Sequence, residues 1–214
     1  MKSRPKIMEN FYDRFCDNTY RKRIFITPIL DFDQQVNNGF VDLRLGTEFI
    51  LTRKTKFTAL ELTTTENKID RKEIERNIKL YQTLIRIDFG KHLVLHPNQF
   101  ILGCTLEYIK LPDDIYGYII GRSSWGRLGL IIATATLINP GFAGVITLEL
   151  TNLGEVPINL YPGLRIAQIS LHKIDFKPKR RRTKGKSKYF GSISPNFSKI
   201  YEDNDIKKII EKDY

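Results

Sequence analysis

The chain has 214 residues, 41% of them hydrophobic, which suits one packed domain and argues against global disorder. Its formal net charge of +11 favours anionic partners such as nucleotides, nucleic acid or acidic lipid. Cys16 and Cys104 make no disulfide framework, the opening MKSRPKIMENFYDRF has no apolar signal region, and no run approaches the ~18 apolar residues of a membrane span; a soluble, cytoplasmic protein with no membrane partner is the expectation. Residues 1–36 read as an N-terminal segment and 37–176 as the main domain. From Phe40 onward, short apolar or alternating runs (FVDLRLGTEFIL, HLVLHPNQFILGCTLEYIKLPDDIYGYII, GLIIATATLINPGF, GVITLELTNLGEVPINLYPGLRIAQISLHKI) are separated by Gly, Pro, Asn and Asp. That spacing predicts an all-β sandwich or barrel, with HPNQF and LPDD as turns. A helical insertion interrupts it at about 66–86. There Ile74, Ile78, Tyr81 and Ile85 recur at helical spacing behind an Asp70/Glu73 capping box, as in a helix packed over one side of the β domain. Residues 177–214 form a basic tail in which eight of the twelve residues from Lys177 to Lys188 are Lys or Arg. Such a block does not fold alone; it reads as a solvated tail, a nucleic-acid contact, or a lid closing on phosphates.

Between two apolar runs lies the polar knot GRSSWGR, Gly121 to Arg127. Guanidinium forks, hydroxyls and backbone N–H groups together suit phosphate oxygens, and they also suit a structural arginine cluster. In GVITLELTN, Ile146, Leu148 and Leu150 alternate with Thr147, Glu149 and Thr151, a period-two strand. Glu149 then either faces water or lies shielded in a cleft, where a raised pKa fits it to move protons near neutral pH. His92, His96, His172 and the two cysteines match no zinc-deaminase spacing.

The segments GRSSWGRLGL, INPGFAGVITLELTN and LYPGLRIAQI occur in the order found in the dCTP deaminase branch of the dCTP deaminase and dUTPase superfamily, which the chain resembles. VDLRLGTEF and TLEYIKLPDDIYGYIIGRSS extend the resemblance over most of Phe40–Ile174. It implies a distorted jelly-roll or β-barrel of the dUTPase-like type with a helical insertion, assembled as a homotrimer with the knot at a subunit interface. By the same resemblance Glu149 is the proton shuttle, Ser123 orients the attacking water, and Arg127 stabilises the base and the carboxylate. Arg122, Ser124 and Ser123 hold phosphates, Ala135 reads the base edge, and Phe142 packs on the deoxyribose or belongs to the core. Gln168 is structural or contacts phosphate, and Lys188 and Tyr189 belong to a C-terminal lid.

The chain departs from the family pattern three times, the first being that an upstream tyrosine of the lid is replaced within the KRRR run. Asn139 stands where the family carries aspartate, and Ser192 of KYFGS stands where a glutamine is usual. The function implied is deamination of dCTP to dUTP and ammonia. No metal is held by protein side chains, and Mg2+ accompanies the triphosphate. The rivals are a dUTP diphosphatase, a bifunctional deaminase–diphosphatase, and a nucleotide-sensing protein without catalysis. Nucleic acid bound through the basic tail is the less favoured partner.

Overall fold

The computed structural model describes residues 23–37, 39–53, 71–133, 137–174 and 188–205. Two antiparallel sheets carry the fold. In the first, β5 (Gln82–Arg86), β4 (Glu48–Thr52), β7 (Phe100–Lys110), β11 (Ala143–Asn152) and β9 (Leu130–Ile132) follow in spatial order, and β1 (Phe25–Thr27) also pairs with β7. The second runs β10 (Leu137–Ile138), β8 (Ile115–Gly121), β13 (Arg165–Lys173), β3 (Phe40–Arg44) and β2 (Val36–Asn37). A small ribbon of β6 (Leu93–Leu95) and β12 (Ile158–Leu160) completes it. The alternation read from the sequence fixes the inner faces: Ile146, Leu148 and Leu150 of β11 meet Val41, Leu43, Ile119 and Ile169 of the second sheet in one core. Such period-two burial is what joins two sheets face to face.

Two boundaries differ from the sequence reading. Helix α2 spans Arg71–Tyr81 and buries Ile74 and Ile78, but it stops there. Ile85 lies on β5, opposite Phe49. The helical insertion therefore does not reach residue 86: the β-branched Thr83 and Ile85 suit a strand, and β5 pairs with β4 through five consecutive residues. Asp70 and the rest of 66–70 lie outside the described residues. The N-terminal boundary at 36 also moves. Strand β1 pairs with the end of β7 that β4 leaves open, and helix α1 (Phe32–Gln35), capped by Asp31, brings Gln35 into the interior.

Gln35 meets a buried carboxylate. Glu107 is fully buried, and its oxygens accept from Gln35 Nε2 (3.0 Å) and the Arg44 backbone N–H (2.8 Å). Arg44 in turn donates to Gln35 Oε1 (3.0 Å) and to the Gly163 carbonyl (2.7 Å). Burial pushes the Glu107 pKa up to about 7, against the pull of those donors and of the Arg44 charge. The folded state then binds this proton more tightly than the unfolded chain does. The associated stability is present at low pH and is lost as pH rises from about 4.5 to about 7, on the order of 3 kcal/mol in all. Glu107→Gln keeps the shape and removes the titration. The excess melting temperature of the wild type over this variant is expected to shrink from pH 5 to pH 7.5; an excess constant across that range would refute the assignment.

Candidate functional site

The polar knot begins where β8 ends. Arg122 precedes the one-turn helix α3 (Ser123–Gly126), and its carbonyl accepts from the N–H groups of Trp125 (3.0 Å) and Gly126 (3.2 Å). The Trp125 indole donates to the Arg165 carbonyl at 2.9 Å while its ring packs on the core, so the turn is pinned from beneath. Ser123, Ser124 and Arg127 are left exposed on the outside of that turn. Gly129 closes it with φ +91°, a conformation glycine adopts without strain. A Cβ there would sit 2.4 Å from the Gly154 nitrogen, and the Leu153 N–H donates to the Gly129 carbonyl at 2.8 Å. The knot and the β11–β12 turn are thus in backbone contact.

Beneath Arg122 lies Asp42, a residue the sequence reading did not single out. Its side chain is 2% exposed. Oδ1 accepts from Gln168 Nε2 at 2.8 Å; Oδ2 accepts from Arg165 Nη1 at 3.2 Å and stands 3.6 Å from Arg122 Nε. Arg122 Nη1 also donates to the Arg165 carbonyl at 3.2 Å. A β-bulge between Arg165 and Ala167 resets the side-chain alternation of β13, and Arg165 joins Gln168 on the Asp42 carboxylate. The one available signal was the placing of Asp42 between Val41 and Leu43, which are buried on either side of it.

A second group gathers along the edge of β11. Asn139 is exposed in the turn that leads from β10, its carbonyl accepting from the Phe142 N–H at 3.2 Å, and Phe142 packs partly buried against the core. The C-terminal segment returns here rather than standing apart as a tail. Gly191 N–H donates to the Ala143 carbonyl (2.7 Å), and Val145 N–H donates to that of Ser192 (2.8 Å). Gly144, at φ +148°, leaves room for this approach: a Cβ would stand 3.1 Å from the Ser192 carbonyl oxygen. Further on, Asn196 N–H donates to Thr147 Oγ1 at 3.1 Å, and the Asn196 carboxamide is bound to the Ser192 hydroxyl. Lys188 pairs with Asp203, and the Tyr189 hydroxyl accepts from the Lys199 N–H at 3.2 Å, so both are engaged within the segment.

Glu149 stands two residues beyond Thr147, on the face opposite Leu148 and Leu150. Its backbone carbonyl accepts from the Ala133 N–H at 2.9 Å, at the exit of β9. The side chain is neither fully exposed nor fully buried, and burial raises its pKa above the ordinary carboxylate value. Ala135 and residues 177–187 of the basic block lie outside the described residues.

The knot and the Asn139–Phe142 turn sit at opposite ends of β8, whereas Glu149, beside the Leu150–Ile132 pair of β11 and β9, lies toward the knot's end. The Asn139–Phe142 turn is tied to Pro112, where β8 starts, through the Gly141 N–H (3.1 Å), whereas the knot follows its last residue. Seven residues of strand put roughly 20 Å between them.

The family model described as dCTP deaminase-like matches residues 13–174. A protein of Dictyoglomus turgidum named dCTP deaminase, dUMP-forming, is 42% identical over 189 residues, 87% of this chain and 92% of that protein. One of Natronomonas pharaonis named dCTP deaminase is 37% identical over 182 residues, 84% of this chain and 88% of that one. Among solved structures, the 2'-deoxycytidine 5'-triphosphate deaminase of Agrobacterium tumefaciens superposes with a TM-score of 0.51 at 22% identity, over 69% of this chain and 41% of that one, a likeness of fold. On the extent of the family match and of these relatives, the chain belongs to the dCTP deaminase-like family.

Proposed function

We propose that the protein catalyses hydrolytic deamination of dCTP to dUTP and ammonia, in pyrimidine deoxynucleotide metabolism in the cytoplasm. The observation that carries this reading is Glu149: a partly shielded carboxylate with raised proton affinity, on a strand edge bracketed by Ala133 and by the C-terminal segment. The names of the relatives agree with it. In this mechanism Ser123 orients a water and Glu149 takes one of its protons as the hydroxide adds to C4 of cytosine. Glu149 then delivers a proton to the departing amine. Of the two water protons, one ends on N3 of the uracil and one on ammonia. Arg127 stabilises the charge on the base. Arg122, Ser124 and Gln168 hold phosphate oxygens, while Lys188 and Tyr189 cover the nucleotide. Phe142 lies against the deoxyribose and Ala135 against the base. Mg2+ arrives with the triphosphate as part of the substrate.

A homotrimer belongs to this reading, and the separation along β8 supports it. The knot and the Asn139–Phe142 turn, roughly 20 Å apart, are too distant to share one nucleotide easily within a chain, and in this reading a neighbouring copy brings them together. The outer face of the second sheet offers an apolar surface for that copy, with Tyr118, Ile120 and Leu137 between 38% and 53% exposed. Ile120→Asp is expected to yield monomers in light scattering and to lose activity with its fold intact; an active monomer would sink the shared site.

Glu149→Gln should keep nucleotide binding and the oligomer while ammonia release falls by ~10²–10⁴-fold, the usual cost of a lost proton shuttle. Near-native turnover would refute the mechanism. A second reading, release of dUMP and pyrophosphate, is favoured by the name of the Dictyoglomus turgidum relative. Asn139 favours dUTP, because an amide bonds a hydroxyl but cannot act as a base toward water attacking phosphorus. With dCTP and magnesium, equimolar dUTP and ammonia without pyrophosphate is the expected product pattern. Stoichiometric pyrophosphate would decide for the second reading.

A further inference from the structure

Asp42 is buried at the junction of three separate stretches of chain. It lies on β3, bonds Gln168 and Arg165 from β13, and stands against Arg122 at the head of the knot. A carboxylate this deep is tolerable only when its oxygens are fully engaged, and here both are. The geometry at Arg122 is specific. Nε faces Asp42 Oδ2 at 3.6 Å and Nη1 is committed to the Arg165 carbonyl at 3.2 Å; among the described residues Nη2 has no acceptor. One carboxylate shared by two guanidiniums leaves an excess of one positive charge, at a partly exposed arginine. Gln168 is pinned by the same group. We propose that Asp42 is a positioning residue, fixing the Arg122 fork and the Gln168 carboxamide so that they meet nucleotide phosphates already ordered. The inference rests on the function proposed above.

Preorganisation of this kind saves the ordering cost that a free arginine incurs on binding. It also makes a prediction that opposes simple electrostatics. Asp42→Asn removes a negative charge, so a field effect alone would tighten triphosphate binding and steepen its salt dependence. Loss of positioning acts the other way. Titration calorimetry on the full chain, with dCTP, dCMP and deoxycytidine, separates the two. For Asp42→Asn the Kd for dCTP is expected to rise about tenfold, that for dCMP by less, and that for deoxycytidine not at all. KM should rise in step while kcat at saturating dCTP is retained. Equal losses for all three ligands mark a merely structural role and overturn the proposal, as does tighter dCTP binding. Wild-type protein that binds none of the three removes the functional reading and this inference together; wild-type binding with a uniform loss removes the inference alone. The unaltered chain supplies a second measurement that does not depend on how the variant folds. With 15N-labelled arginine, the Arg122 guanidinium, held by Asp42 and the Arg165 carbonyl, should show hindered rotation and a single ordered signal before dCTP is added. A rapidly exchanging, averaged signal would overturn the proposal without any substitution at Asp42.

Discussion

Strand β3 carries an acidic side chain, the buried Asp42, and a basic one, the half-buried Arg44, and much of the surrounding architecture follows from satisfying them. Arg44 is met by Gln35 and by the Gly163 carbonyl, which draws helix α1 and the turn before β13 onto the sheet. Asp42 is met by Gln168, Arg165 and Arg122, which ties β13 and the knot to the same strand. Hydrophobic burial brings the two sheets together, but it is indifferent to small sliding. Buried polar groups are not, because each unmade bond costs the full desolvation of its group. The register of β3 against its neighbours is therefore fixed by charge.

The long strands β8 and β11 then distribute the chemistry. Strand β8 delivers the knot at one end and supports the Asn139–Phe142 turn at the other; β11 offers its edge to the C-terminal segment and to β9. Rigid strands make good rulers, and the distance they impose keeps the knot and the Asn139–Phe142 turn apart within one chain. A bulge at Val145–Thr147 leaves the Ile146 N–H without a ladder partner, and the Thr105 hydroxyl accepts it at 3.0 Å. That repair preserves the alternation which turns Glu149 away from the core.

Much of this was readable from local pattern. The strands with period-two alternation, the turns at HPNQF and LPDD, and the knot as a concentrated polar interruption all declare themselves in a few neighbouring residues. The failures share one physical cause, dependence on distant backbone. Ile85 fits a helical stripe as well as a strand, and only the β4 edge decides between them. Gln35 and β1 belong to the domain because β7 is longer than its partner β4. Asp42 looked like one more polar residue in a strand, since the bulge that brings Arg165 to it lies more than a hundred residues away. The return of Gly191 and Ser192 to β11 depends on the space left by Gly144.

The close approach of Gly129 to Gly154 has an evolutionary consequence. A Cβ at Gly129 would meet the Gly154 backbone, and one at Gly154 would stand 2.8 Å from the Leu128 carbonyl oxygen beside Gly129, so neither can drift alone. The knot and the β11–β12 turn, far apart in sequence, form one mechanical body, and Asn152 fastens it further through Nδ2 to the Leu95 and Val156 carbonyls. Variation in the length or composition of either turn should therefore be accepted only when matched in the other. Remodelling of the knot will carry with it a turn that belongs to a different part of the sequence.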